Sequence, residues 1–415
     1  MIMSVIKPFR GLRPKRELAK QIASPPYDVL SSKEAREIVQ NNPLSFLHII
    51  KPEICFPENI DVHSNEVYEE GKKNLKRFIA DRALIQDDKA CFYIYRQIMG
   101  NHSQIGLVAC ALVEEYQKNQ IKKHEHTRPD KEQDRANHIN ILNAQAGPVF
   151  LTYRARSEID AIINSWISKE PEYDFIADDS IRHTFWVVYD DEVIRTLQDQ
   201  FRLIKYLYVA DGHHRSAAAA RVKDMRMTKG NHTGNEEYNY YLTVIFPDNQ
   251  MQIMDYNRVI TDLNGLTEFE FLEKVKEKFN LRVLGDDAEK PKAKHTYVMY
   301  LNKVWYQLEA KPGTFSESDP VDRLDISILM KNLLQPVLGI GDPRTDQRID
   351  FVGGIRGLKE LKKRVDSGEM AVAFGLFPIS IKDLIAIADN NDIMPPKTTW
   401  FEPKLRSGLV IHLLD

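Results

Sequence analysis

The chain reads as a mixed α/β protein, and three observations carry that reading. From residue 182 to residue 246 the segments RHTFWVVYD, DEVIRTLQDQF, IKYLYVA, HRSAAAARVKDM and YNYYLTVIF follow one another, strand-like and helix-like in turn. Alternation of short apolar runs with helical periodicity signals β-α-β units in a parallel or mixed sheet. ACFYIYRQI and SQIGLVACALVEEY flank Gly100-Asn101, and HTYVMYLNKVWYQLEA turns near Asn302-Lys303, so two hairpins are expected. Several stretches carry apolar residues at helical spacing, as Val67, Leu75, Phe78 and Ile79 do in EVYEEGKKNLKRFIADRAL.

In chain order, Pro25-Pro26 excludes a helix and forces an extended or turned backbone. Ser31 and Glu34 fit a capping box that starts a short helix, ended by Asn41-Asn42-Pro43. SFLHII then reads as a strand. Residues 122–135 form a charged loop leading into a helix, with Pro129 suited to its first turn. GPVFLTY reads as a strand, and MTKGNHTGNEEY as a surface loop. EFEFLEKVKEKFNLRVLG is a helix running into a strand. DRLDISILMKNLLQPVLGI is a helix interrupted near Pro336, and MAVAFGLFPISI contains a buried strand. The expected organisation is an N-terminal α/β region, residues 1–264, and a C-terminal α/β region, residues 265–415, that closes with a basic Pro-rich strap.

Composition bounds the function. With 43% apolar and 28% charged residues, the 415-residue chain falls among ordinary globular proteins. Its net charge of −3 supplies no general attraction to nucleic acid or to an anionic membrane, so any anion site is local. Cys55, Cys91 and Cys110 form no CxxC pair, and the N-terminus lacks a signal-peptide core. No apolar run is long enough to span a bilayer. These features predict a cytoplasmic protein without a membrane or nucleic-acid partner; they carry no signal of oligomeric state.

The most informative stretch is KYLYVADGHHRSAAAARVKDM. An apolar strand stops at Asp211-Gly212-His213-His214-Arg215, and an alanine-rich helix follows at once. A parallel strand ending at Ala210 would place this junction at the carboxyl edge of a sheet, where α/β proteins bind ligands. Gly212 permits a tight turn, the helix amino end attracts anions, and Arg215 offers a fork to phosphate or carboxylate. His213 and His214 can donate hydrogen bonds or move protons near neutral pH. Asp211 would repel a phosphate unless it binds magnesium, accepts a hydroxyl proton or fixes an imidazole tautomer. An acid among anion donors suits phosphoryl transfer. The bland alternative is an aspartate-capped helix with solvated histidines.

Two other segments are basic. KKHEHTRPDKEQDR holds Glu125, Arg128 and Arg135, which read either as a second wall of an anion site or as a solvated loop. MPPKTTWFEPKLRSGL holds Lys397, Lys404, Arg406 and Ser407 on a proline-stiffened strap, suited to phosphate recognition or to packing Trp400 and Phe401. SPPYDV places Tyr27 and Asp28 on a rigid turn. There is no H-E-x-x-H or CxxC frame for a tight metal site, no G-x-x-x-x-G-K-[ST] loop, no D-x-D and no G-x-S-x-G.

ADGHHRSAAA, with PPYDVLSSKEAREIVQNNPLSFLHI, HEHTRPDKEQDR, NRVITDLNG and MPPKTTWFEPKLRSGLVI, resembles the family of domain of unknown function 1015 over nearly the whole chain. Around the D-G-H-H-R loop that family is similar to the ParB/sulfiredoxin-like superfamily, which includes the free serine kinases. The resemblance implies a ParB/sulfiredoxin-like strand–loop–helix core elaborated by further sheets and helices. It implies phosphate binding by Gly212, His213, His214 and Arg215, and it favours Arg128 and Arg135 as an anion wall over a solvated loop; Lys397 and Lys404 stand as phosphate candidates on the strap's own residues. Asp211 would be the acid of a phosphoryl-transfer site or a magnesium ligand, and Glu125 is the candidate for the upstream glutamate base of the kinases. The expected activity is phosphoryl transfer on a small hydroxy amino acid, foremost the serine/O-phosphoserine pair, with ADP or ATP and Mg2+. The alternatives are a nucleotide-binding regulator without turnover and a phosphatase acting on another phosphorylated metabolite. The chain departs from the small kinases in its long leading segment and its extended C-terminal part.

Overall fold

In the computed structural model, which describes residues 4–230 and 232–415, the chain is mixed α/β and divides into two units. The first comprises residues 4–123, Thr127–Met251 and Pro403–Asp415; the second comprises His124–His126 and Gln252–Glu402. The division differs from a boundary at 264/265. Strand Tyr256–Ile260 pairs within the second unit's sheet, and the last residues return to the first unit. Such returns come from long-range pairing, for which local sequence holds no signal.

Nine strands build the first unit's main sheet: β1 (Ile6–Lys7), β2 (Phe92–Met99), β3 (His102–Leu112), β4 (Ile121–Lys122), β5 (Val149–Tyr153), β6 (Tyr173–Ile176), β7 (Arg182–Val188), β8 (Leu207–Asp211) and β9 (Tyr240–Pro247). Their order is β4-β8-β5-β9-β3-β2-β7-β6, with β1 on β3. The hairpin at Gly100-Asn101 joins β2 to β3 as expected. Of the helices α1 (Ser32–Val39), α2 (Asn65–Ala80), α3 (Pro129–Leu142), α4 (Ser157–Trp166), α5 (Asp191–Arg202) and α6 (His213–Met227), the last three pack on the sheet, α3 packs on α6, and α1 and α2 join a separate core with Phe46 and Ile411. Ser31 and Glu34 form the capping box of α1, and Pro129 occupies the first turn of α3. One core joins Ile159 and Trp166 of α4, Leu197 and Phe201 of α5, and Ala219 and Ala220 of α6 to strand residues such as Leu151 and Val209. Ala136 of α3 and Ala218 of α6 share a smaller cluster, where the lack of bulk lets the two helices approach closely.

Two expectations are corrected. SFLHII is not a strand: Leu47–Ile50 is a helical turn. Phe46, Leu47, Ile49 and Ile50 are all buried, and so short an apolar run shows no period that separates helix from strand. The strand before the D-G-H-H-R loop does not end at Ala210, nor is it parallel throughout. β8 is parallel to the short edge strand β4, antiparallel to β5, and reaches Asp211 through a register shift after Val209. Such a bulge redirects the side chain that follows it.

The second unit holds a six-stranded antiparallel sheet of β10 (Tyr256–Ile260), β11 (Phe279–Gly285), β12 (Thr296–Leu301), β13 (Val304–Ala310), β14 (Ile349–Gly353) and β15 (Val372–Leu376), ordered β11-β13-β12-β15-β10-β14. Asn302 and Lys303 both take positive φ, 44° and 67°, as a two-residue turn between β12 and β13 requires. Helix α7 (Glu268–Lys278) begins at a Thr267/Glu270 capping box, and α8 (Gly357–Asp366) covers the sheet through Leu361. The helix expected to break near Pro336 is an α-turn, Asp325–Leu329, that widens into a π-turn, Met330–Leu334. Among the described residues no helix is long and apolar enough to cross a membrane. All three cysteines are free thiols, with Cys91 and Cys110 buried.

Candidate active site

The site is built where β8 turns into α6. Gly212 sits at φ 97°, ψ 33°, a left-handed conformation that a glycine adopts without penalty. A Cβ there would lie 3.1 Å from Arg215 Nε and 3.2 Å from its Cζ. The glycine therefore does two things: it makes the sharp turn, and it leaves room for the Arg215 guanidinium to fold back over the loop. Ser216 N donates to Gly212 O at 3.0 Å, which starts the helix, and its hydroxyl donates to the same oxygen at 3.2 Å. The amino end of a helix carries about half a positive unit charge.

Arg215 is 8% exposed. Its Nη1 donates to the carbonyl of Pro148 at the start of β5. Its Nη2 lies 3.6 Å from both Asp211 Oδ2 and Asp28 Oδ2. Its Nε is buried with no hydrogen-bond partner. Burial opposes the charge, but Asp28 and Asp211 outweigh it and raise the guanidinium pKa. Lys404 Nζ approaches Asp211 Oδ2 at 3.3 Å. Burial pushes the Asp211 carboxyl up, yet Lys404 and Arg215 hold it well below the usual carboxylate range, so it is ionised at any physiological pH.

Lys404 arrives from the end of the chain because buried polar groups hold its backbone. Gln97 Nε2 donates to Lys404 O at 2.9 Å, and Gln104 Nε2 donates to Gln97 Oε1 at 3.0 Å. Both glutamines are fully buried in the β2–β3 hairpin. Ser407 and Ser24 exchange backbone hydrogen bonds at 2.9 and 3.0 Å.

A cavity adjoins Arg215. Its polar lining includes Tyr27, Arg135, His138, Gln145 and Ser407, and its apolar lining includes Ile50, Ile139, Val149 and Leu242. The Arg135 guanidinium stacks on the Tyr27 ring at 4.2 Å and pairs with Asp134 at 2.6 Å. Asp134 in turn accepts from Tyr68 Oη and contacts His63 Nδ1, each at 2.7 Å. Burial opposes ionisation of Asp134, but these partners bring its pKa down to about 2. Burial and the Arg135 charge lower the pKa of His138 to about 4, so it is neutral. The cavity thus offers two guanidinium groups to an anion and an apolar wall to whatever carries it.

Of the sequence candidates, Asp211, Gly212, His213, His214, Arg215, Arg128, Arg135 and Lys404 all belong to the first unit. His213 is buried at the loop, and its charge contributes to the lowered pKa of Asp211. His214 Nε2 accepts a hydrogen bond from the backbone N of Arg128 at 3.2 Å, which places the ring proton on Nδ1. The Arg128 guanidinium pairs with its neighbour Asp130 at 2.8 Å. Glu125 and Lys397 belong to the second unit. There Lys397 adopts φ 59°, and its carbonyl accepts from Arg258 at 2.8 Å. The buried pair Gln97/Gln104 and the Asp134 cluster carry no sequence signature; only the anomaly of glutamine in an apolar strand pattern hints at the former.

Comparison with known proteins gives a family and a set of distant folds. A free serine kinase in complex with AMP aligns over 74% of this chain and 91% of its own, with 12% identity and a TM-score of 0.36. A conserved hypothetical protein from Pyrococcus furiosus aligns over 74% and 95%, with 11% identity and a TM-score of 0.34. C-terminally truncated SbnI from Staphylococcus aureus aligns over 74% and 87%, with 12% identity and a TM-score of 0.32. No curated protein matches the sequence. The family described as "Protein of unknown function (DUF1015)" matches residues 6–327, and the chain belongs to that family.

Proposed function

We propose that the first unit transfers a phosphoryl group to or from a small hydroxy amino acid, with serine and O-phosphoserine as the pair. One observation carries the reading: two cations, Arg215 and Lys404, flank the ionised Asp211 at the amino end of α6. The likeness of the D-G-H-H-R loop to that of free serine kinases supports the same substrate pair. In the kinase direction the substrate hydroxyl oxygen attacks the terminal phosphorus of a nucleotide. A P–O bond forms as the bond to the departing nucleotide breaks, and the hydroxyl proton passes to Asp211. Arg215, Lys404 and the helix amino end hold the phosphoryl oxygens.

Asp211 is a weak base while both cations face it. A bound phosphate draws the charge of Arg215 and Lys404 to itself, which raises the basicity of Asp211 when the substrate is present. Asp28, the other carboxylate 3.6 Å from Arg215 Nη2, is a hard oxygen donor that suits magnesium while Asp211 takes the proton. Magnesium carried in by a nucleotide supplies neutralisation of phosphate charge. Arg135 and the apolar wall of the neighbouring cavity accept the remainder of an organic anion.

Phosphorus NMR tests the reading. The chain is incubated with O-phosphoserine and magnesium, with and without AMP or ADP, beside serine with ADP or ATP. Transfer of the phosphoserine signal into a nucleotide, or the reverse, is the expected result. Its conversion to inorganic phosphate alone identifies a phosphatase. Silence in every tube from a folded chain overturns the proposal in favour of a nucleotide-binding regulator.

A further inference from the structure

The second unit contains a cation that the first unit's chemistry does not use. Arg258, on β10, is 1% exposed. A central strand normally buries apolar side chains, and a buried charge persists only when something compensates it. Nη1 donates to the Tyr256 carbonyl, and Nη2 donates to the carbonyls of Pro396 at 3.2 Å and Lys397 at 2.8 Å. The rings of Phe351 and Tyr256 lie 5.1 and 5.7 Å away. Carbonyl dipoles and ring faces soften the charge without neutralising it. Among the described residues no carboxylate pairs with Arg258, and burial lowers its pKa to about 9. Its Nε is buried with no hydrogen-bond partner.

The same side chain lines a cavity with Thr398, Ile326, Leu376, Phe377 and Ile379. Lys294 and Arg323 also line it, and both turn to Asp383, at 2.6 and 3.5 Å. Asp325, another lining residue, accepts from His295 N through Oδ1 at 2.9 Å, while its Oδ2 is buried with no partner. Lys294 and Arg323 therefore share Asp383, Asp325 is a weak counter-ion because burial raises its pKa to about 7, and among the described residues the charge of Arg258 stays uncompensated beside an apolar wall.

We infer that this cavity binds a small carboxylate with a short apolar body, and that the ligand carboxylate is the missing counter-ion of the Arg258 guanidinium. One uncompensated charge matches a monoanion. A phosphate dianion would bring two negative charges beside the Asp383 carboxylate. Serving as a clamp for residues 396–397 accounts for the carbonyl contacts of Arg258, but it requires neither a buried, unpartnered Nε nor a cavity next to it.

Isothermal titration of the full chain with sodium butyrate, beside inorganic phosphate, tests the site. Saturable one-site butyrate binding is expected, unchanged by Arg215→Ala and weakened at least tenfold by Arg258→Lys. Ile379→Phe fills the cavity while keeping Arg258 and its carbonyl partners, and it removes butyrate binding from a chain with unchanged circular dichroism. Absence of butyrate heat from the folded native chain overturns the inference, as does binding that Ile379→Phe leaves intact. Phosphate heat that disappears in Ile379→Phe, without butyrate heat in the native chain, overturns the choice of a carboxylate.

Discussion

Arg215 and Arg258 are both guanidinium groups withdrawn from water, but their surroundings treat the charge in opposite ways. Around Arg215 the chain supplies its own anions, Asp211 and Asp28, and a second cation, Lys404, on the far side of Asp211. Around Arg258 it supplies carbonyl oxygens and ring faces. In the proposed reaction a phosphate entering the first site exchanges one set of ion pairs for another, which suits a ligand that must bind, react and leave. A ligand entering the second meets a charge with nothing to give up, which suits retention. The difference teaches that burial of an arginine says little about its role until its partners are named.

Five substitutions test how paired and unpaired charges behave. The largest effect is expected for Asp211→Asn, which keeps the shape of the loop but removes the proposed proton acceptor. Turnover should fall by about 10²–10⁴, the usual contribution of a positioned base, while O-phosphoserine affinity stays within about tenfold. An active Asp211→Asn chain would refute the base role. Arg215→Ala comes next: phosphate-bearing ligands should weaken by about 1.5–3 kcal/mol, the range for hydrogen bonds to charged groups. Unchanged affinity by calorimetry would move the anion site elsewhere.

Two isosteric changes to carboxylates should shift stability in opposite directions. Asp134, paired with Arg135, has a folded pKa of about 2, below its ordinary value of 3.8. A depressed pKa means that the pairing stabilises fully above the ordinary value and fades as pH falls toward about 2. Asp134→Asn should therefore cost about 2 kcal/mol at pH 7, less at pH 3. Burial raises the Asp325 pKa to about 7, so the folded state holds a proton that the unfolded state releases above about 4. Its contribution worsens as pH rises from about 4 to 7. Asp325→Asn should thus stabilise the chain at pH 8 by about 1–3 kcal/mol and have little effect at pH 4. Urea unfolding at several pH values measures both, and shifts of the same sign would erase the contrast between paired and unpaired carboxylates. The smallest effect belongs to Tyr27→Leu, which removes the ring beneath Arg135 and should cost about 0.5–1 kcal/mol in the same assay.

Much of this was legible without coordinates because it is local. The capping box at Ser31, the turns at Gly100-Asn101 and Asn302-Lys303, and the helix start at Pro129 depend on residues a few positions apart. The Asp211–Arg215 loop was legible for the same reason: five adjacent residues carry a glycine for the turn and charges too dense for a core. Local reasoning failed where an apolar run was too short to show a period, at Leu47–Ile50. It failed again where pairing was long-range, as in the antiparallel match of β8 with β5 and the bulge before Asp211.

The sequence by itself therefore determined the mixed α/β class, most of the elements, and the chemical character of the D-G-H-H-R loop, because backbone sterics, capping and periodicity act over a few residues. Tertiary structure alone decided that Lys404, nearly two hundred residues downstream, meets Asp211. It decided that Arg135 lies on Tyr27 while Arg128 turns to Asp130, and that Arg258 is buried with no carboxylate partner among the described residues. Which charges are paired depends on distances set by packing, and a residue's type does not reveal them.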